Sequence, residues 1–227
     1  MAGEYTGGDI LAALESADYY NAFLTDLVCR SAGDAKELVD FGAGLGIFAK
    51  RVRREGFHVL CIEPDEGQRQ RILDEGFEAL PAIDSLPDNA ASFFFSLNVL
   101  EHIQDDASTI ADLWRKLRPG GGVLIYVPAF NCLWSSLDDR VKHYRRYTKR
   151  SLRQLVEQAG FSVEELRYAD SLGFPAALLF RGLRWTTDTI TPRSITFYDR
   201  WVFRASHLLD KIFHPFFGKN VYVIARK

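Results

Sequence analysis

Asp40-Phe41-Gly42-Ala43-Gly44-Leu45-Gly46 joins an apolar run, Glu37–Phe41, directly to a segment with helical period. Glycines at such a junction let the backbone turn tightly and let a ligand lie against main-chain atoms. The helix N-terminus beyond them offers unpaired N–H groups. A dinucleotide fingerprint wants Gly-x-Gly-x-x-Gly/Ala, but from Gly42 and Gly44 the third position falls on Ile47. The glycines run Gly-x-Gly-x-Gly instead, with an acid, Asp40, two residues before the first. That acid would repel a pyrophosphate and favour a ligand carrying a sulfonium and an ammonium group. Glu63 ends the next apolar run, where an acid can accept both hydroxyls of an adenosine ribose. The plainer alternative is a structural strand-to-helix turn with a capped surface acid.

Elements that must hold these residues can be read from the periodicity. Glu37–Phe41, Phe57–Ile62, Phe77–Leu80, Ser92–Leu97 and Val123–Val127 read as strands, the fourth apolar on both faces as a central parallel strand should be. Between them lie helical segments, Leu45–Arg54, Glu66–Glu75, and a stripe of Ile110, Leu113, Trp114 and Leu117. Pro119-Gly120-Gly121-Gly122 breaks the last of these. Such alternation predicts a Rossmann-like α/β three-layer sandwich with helices on both faces of a parallel sheet. Further on, Thr148 reads as an N-cap for a helix carrying Leu152, Leu155, Val156 and Ala159, with Gly160 as its stop. Phe161–Tyr168 and Val221–Ala225 are two further strands. The organisation predicted is one domain: N-terminal helices over 1–35, a core of 36–170 and 219–227, and an aromatic helical insert over 171–218. The N-terminal helices are read from Ile10, Leu11, Leu14, Phe23, Leu27 and Val28, and the insert from a stripe of Trp201, Ala205, Leu208 and Ile212.

Four segments, DFGAGLG, CIEPD, SLNVLEHI and LRPGGGVLIYVPA, stand in an order and spacing that resembles the class I S-adenosylmethionine-dependent methyltransferases. They are most similar to the bacterial type 11 and ubiquinone-biosynthesis-like enzymes, over about residues 36–130. The resemblance implies a seven-stranded sheet whose last strand is antiparallel and inserted between strands five and six. It implies that Gly42, Ala43, Gly44 and Gly46 contact the methionine part of the cofactor beside Asp40. Glu63 would then hold the ribose, Pro64 and Asp65 border the adenine, Asp84 stand near the adenine amino group, and Asn98, Val99 and Leu100 line the cofactor after strand four. Some quinone O-methyltransferases bind a metal through Glu-x-x-Glu-His. The matching stretch here, Asn98-Val99-Leu100-Glu101-His102, lacks the first acid, so no metal is expected, although Glu101 and His102 could still contribute to one. The same stretch is not the Asn/Asp-Pro-Pro-aromatic segment of adenine and glutamine N-methyltransferases, and Cys132 follows Asn131 rather than the proline of a cytosine C5 nucleophile. O-methylation of a small or lipid-linked metabolite, anionic if the basic run described below binds it, with S-adenosylhomocysteine as product, is the favoured chemistry.

Methyl transfer needs a general base only when the acceptor is a hydroxyl. His102 and His143 are the candidates, against the plainer readings of a helix-start residue and one member of a solvated basic run. Seven Lys or Arg and no acid lie between Arg140 and Arg153. Arg145 and Tyr147 are therefore candidate acceptor contacts, since a guanidinium clamps phosphate or carboxylate bidentately. Tyr20, with Tyr19 and Phe23, could close a lid with the insert, which holds ten of the thirty aromatic residues. Contact with a membrane surface, a dimer interface, and simple packing on the sheet are the alternatives for that insert.

A net charge of −2 and the missing amine motif count against a nucleic-acid partner, and an RNA-modifying enzyme or a non-catalytic nucleoside-binding relative are the competing functions. Cys29, Cys61 and Cys132 are odd in number and far apart, which argues against a disulfide framework or structural zinc. Cys61, inside an apolar run, reads as a small buried hydrophobe. The opening residues carry no basic-then-apolar signal, so a cytoplasmic protein is expected, monomeric or homodimeric, with peripheral membrane contact left open.

Overall fold

The computed structural model describes residues 15–182 and 192–227. Ile10, Leu11 and Leu14 of the N-terminal expectation, and Trp185 of the insert, lie outside the described residues. All seven predicted strands form, in the order β3-β2-β1-β4-β5-β7-β6. They are β1 (Glu37–Phe41), β2 (His58–Ile62), β3 (Glu78–Leu80), β4 (Ala91–Leu97), β5 (Leu117–Pro128), β6 (Ser162–Ala169) and β7 (Asn220–Arg226). The first five are parallel, with Asp40 opposite Cys61 of β2 and Phe95 of β4. β7 runs antiparallel to both neighbours and separates β5 from β6. Strand order therefore reverses between β1 and β4, and a ligand crevice opens at the carboxyl ends of strands at such a point.

Helices cover both faces because the strands are apolar on both. In β4, Phe94 packs on one side with Ile110 and Leu113 of α4 (Asp106–Lys116) and Leu152 and Val156 of α6 (Lys149–Gln158). Phe93 and Phe95 pack on the other with Leu24, Leu27 and Val28 of α1 (Asp18–Ser31) and Ala49 and Val52 of α2 (Ile47–Arg54). Cys61 is fully buried among the second group. Local chemistry starts the helices. Asp65 caps α3 (Glu66–Asp74) by accepting from the Gln68 N–H at 2.9 Å, Asp105 caps α4, and Thr148 caps α6 as predicted. β5 begins six residues earlier than the sequence suggests, at Leu117, so the Gly-rich breaker becomes a strand irregularity. A Cβ on Gly122 would collide with the Arg226 guanidinium, which crosses there.

The insert contains α7 (Gly173–Gly182), α8 (Pro192–Phe197), a π-helical stretch over Tyr198–Phe203 and α9 (Arg204–Phe213). Asp199 accepts from the backbone N–H groups of Tyr19 (2.9 Å) and Tyr20 (2.8 Å), capping α1 with a side chain from the far end of the chain. Phe203 packs edge-on against Tyr20 and Phe23. The insert and α1 are thus one cap. The predicted stripe, however, faces the wrong way: Trp201, Leu208 and Ile212 are about two-thirds exposed, while Asp199, Phe203 and Ser206 are buried. The extra residue of a π turn rotates the residues before it relative to those after it. The buried side is held by polar contacts, Leu172 N–H to Ser206 Oγ and Ser171 N–H to Asp210. No described helix is long and apolar enough to cross a membrane.

Candidate active site

The loop after β1 is built as its glycines require. Gly42, Gly44 and Gly46 all have positive φ, and a Cβ on Gly42 would come within 2.5 Å of both Val99 methyls. Val99, from the loop after β4, therefore rests directly on Gly42. The Gly42 and Ala43 N–H groups donate to the Ile62 carbonyl. Gly46 is the N-cap of α2 and provides no side-chain cap, leaving first-turn N–H groups for a ligand.

Glu63 lies at the end of β2 with its carboxylate held from both sides, by Gly44 N–H at 2.7 Å and Asp65 N–H at 2.9 Å. Burial raises its pKa, and these two hydrogen bonds oppose the rise. Asp40, buried in β1, is raised well above its ordinary value by desolvation and then by the charge on Glu63. Two carboxylates share a buried corner beside a glycine turn, and a ligand with cationic groups would relieve both. Pro64 gives its carbonyl to Arg69. Asp84 is exposed after β3, 3.4 Å from Arg115.

Asn98 takes a positive φ at the end of β4 and donates its side-chain amide to the Tyr20 hydroxyl at 3.1 Å. Burial raises the pKa of that phenol, keeping it neutral. The cap and the β4 loop therefore meet over the glycine turn. Leu100, predicted to line the cofactor, instead packs its side chain into the core.

Next in the chain, Glu101 and His102 meet His143. The two imidazoles cross edge-on with centroids 4.5 Å apart, and Glu101 Oε1 is 3.9 Å from His143 Nε2. His143 Nδ1 is 2.8 Å from Asp138, which also accepts from Ser135 and, through both oxygens, from Arg146. Asp138 belongs to α5 (Ser136–Arg140), whose capping box turns its carboxylate inward. Burial pushes Glu101 up to about 8. Burial and the neighbouring His143 push His102 down to about 4.

The basic run is mostly committed to the protein itself. Arg145, a predicted acceptor contact, pairs with Asp106 at 2.6 Å. Tyr147, the other, is 3 % exposed and donates to Asp106 at 2.8 Å, which makes it a core residue rather than a surface of the site. The side chain that reaches the histidine cluster is Arg146, one position on from the predicted Arg145. Tyr147→Phe should lower stability by about 1–2 kcal/mol through the lost buried hydrogen bond and leave kcat/KM for methyl transfer within about twofold. A large loss of kcat/KM at unchanged stability would return Tyr147 to the acceptor site.

The methyltransferase-domain family matches residues 16–166. A protein of Mycolicibacterium smegmatis named a "probable S-adenosylmethionine-dependent methyltransferase" is 28% identical over 150 residues, 61% of this chain and 56% of that one. The ubiquinone biosynthesis O-methyltransferase of Aromatoleum aromaticum is 31% identical over 114 residues, 45% of this chain and 49% of that one. The chain thus spans about half the length of these two relatives. Among solved structures, an S-adenosylmethionine-dependent methyltransferase of Archaeoglobus fulgidus superposes with a TM-score of 0.61 over 91% of this chain and 94% of its own, at 16% identity, and shows the same fold. With its seven-stranded sheet, glycine turn and acid-ended second strand, the chain belongs to the class I S-adenosylmethionine-dependent methyltransferase family.

Proposed function

We propose that this protein transfers a methyl group from S-adenosylmethionine to a hydroxyl of a small or lipid-linked metabolite. The observation that carries the hydroxyl assignment is the Asp138–His143 pair. With Nδ1 fixed on a carboxylate, His143 presents Nε2 at the carboxyl edge of the sheet, where it can take the proton an alcohol or phenol must lose. The ubiquinone biosynthesis relative, by name an O-methyltransferase, supports the same chemistry.

The bound cofactor supplies an electrophilic methyl on a sulfonium, so the work left to the protein is placement of the acceptor in line with it. Gly42, Gly44 and the first turn of α2 would hold the amino-acid portion, Asp40 its cationic end, and Glu63 the ribose. Tyr20, held by Asn98, would close over this site from the cap. The pairing of Arg145 with Asp106 removes the main support for an anionic acceptor. An RNA acceptor gains no support either, because Arg145, Arg146, Lys149 and Arg153 all contact groups of the chain itself. The exposed stripe of Trp201, Leu208 and Ile212, flanked by Arg200 and Arg204, supports the lipid-linked form of the acceptor.

Labelled cofactor incubated with the protein and a fractionated lysate tests this directly. Label is expected in lipid or small organic material, in alkali-stable ether linkage. Label in RNA or on amines overturns the proposal. The two acids add a pH signature. Their folded pKa values are raised above 3.8 and 4.5, so the stability they contribute is present below those values and lost as pH rises through the folded ones. The cationic end of the cofactor favours Asp40 ionised and the ribose hydroxyls favour Glu63 ionised, so cofactor affinity should rise as pH climbs above the ordinary carboxylate range, with proton release. Calorimetry in buffers of different ionisation enthalpy measures that release, and Asp40→Asn should reduce it.

A further inference from the structure

We propose that Glu101, His102 and His143 form a binding site for a first-row transition dication of the zinc class. One donor atom from each lies within 4.8 Å of the other two, and the three come from two segments that the fold brings together. Glu101 is fully buried, and neither carboxylate oxygen has a hydrogen-bond partner among the described residues. The His143 contact at 3.9 Å is too long to be one. A buried carboxylate so placed is costly unless a cation faces it.

Both imidazoles are arranged as ligands are. His143 is held through Nδ1 by Asp138, which leaves Nε2 directed at Glu101. His102 is hydrogen-bonded to the Val141 backbone, so its tautomer too is set from outside the cluster. A carboxylate or carbonyl on the far nitrogen is the usual second support of a metal-bound histidine. Asp138 is itself fixed by Arg146 and by Ser135. The sequence expectation of no metal rested on Asn98 standing where an acid was wanted. Asn98 is engaged with Tyr20, and the third ligand is supplied by His143 from the following loop instead. Two imidazoles and one carboxylate, without thiolate, suit zinc, iron(II) or cobalt and leave positions open to an acceptor oxygen. With an ion bound, His143 Nε2 would be a ligand and no longer the proton acceptor. The ion would then bind the acceptor hydroxyl and ease loss of its proton to solvent, replacing the imidazole as the means of deprotonation. This last role rests on the proposed methyl transfer, whereas the site itself does not.

The full untagged chain, stripped with chelator and titrated with cobalt(II) and with zinc alone, tests the site. One ion per chain and the visible d–d bands of low-coordinate, nitrogen-ligated cobalt are expected. Asp138→Asn should weaken binding by about 10- to 100-fold, and Glu101→Gln and His143→Gln by more. Unfolding of a variant is recognised by circular dichroism, and the wild-type cobalt spectrum decides without any variant. Absence of those bands, or affinity unchanged in both folded ligand variants, overturns the proposal. Thermal stabilisation by S-adenosylmethionine, measured on the same stripped protein, reports on the methyltransferase reading separately.

Discussion

Glu63→Ala is expected to bind S-adenosylmethionine on the order of a hundredfold more weakly, and to lose most of the thermal stabilisation the cofactor gives the wild type. Glu63 is already oriented by two backbone amides, so it would meet the ribose of a bound cofactor without reorganisation. Two hydrogen bonds from hydroxyls to a charged acceptor are worth about 1.5–3 kcal/mol each. Losing them costs at least about 3 kcal/mol, a factor of about a hundred. The ligand-free protein should change less. Gly44 and Asp65 lose a partner, but Asp40 is relieved of a like charge. Differential scanning fluorimetry with and without cofactor separates the two effects. If the variant keeps the wild-type shift, or if NAD stabilises the wild type instead, the ribose assignment is wrong.

Asp138→Ala should give the largest loss of stability. Its carboxylate, 1 % exposed, holds Arg146, His143 and the Ser135 turn together. Removing one partner of a buried ion pair costs about 3–5 kcal/mol, since the other is left buried and charged. For a chain of this size that is roughly 10 °C in Tm. Arg146→Met, which removes the other partner and keeps much of the volume, should be destabilising too, and the double variant less so than the sum. Additive losses in a double-mutant cycle would show that the two side chains do not act as a pair. Activity should fall in Asp138→Ala beyond what the folded fraction explains, because His143 loses its anchor.

The parts read correctly from sequence are those fixed by local pattern. The glycine turn needs positive φ at three closely spaced positions, and the acid after β2 is placed by strand length. The cap was legible in outline, through aromatic density, but the orientation of Trp201 and Ile212 was not. An i, i+4, i+7 pattern marks one face of a helix without saying whether it points in or out, and here Ser206 and Asp199 satisfy backbone donors on the inner side. Arg145 and Arg146 are neighbours whose side chains diverge, Arg145 to Asp106 and Arg146 to Asp138 and the Ala129 carbonyl, beside the backbone pairing of Phe130 with Tyr147. Asp138 drew no notice in sequence because it lies in a five-residue helix without apolar period. Glu101 stands in the sequence as part of the Glu-His stretch, but the lack of a hydrogen-bond partner for its carboxylate among the described residues is a property of burial alone.

The position of β7 has a consequence for the order in which the chain can assemble. During synthesis the five parallel strands, α1 and the glycine turn can pair as they emerge, each strand finding a neighbour already made. β6 cannot: its strand partner in the sheet is β7, which is translated some fifty residues later. Until then β5 presents an open apolar edge, Leu124 to Val127, of the kind that recruits strands from other chains. Newborn chains stalled before residue 220 should therefore be the species that chaperones hold and that aggregates, while the nucleoside half of the sheet is already in place.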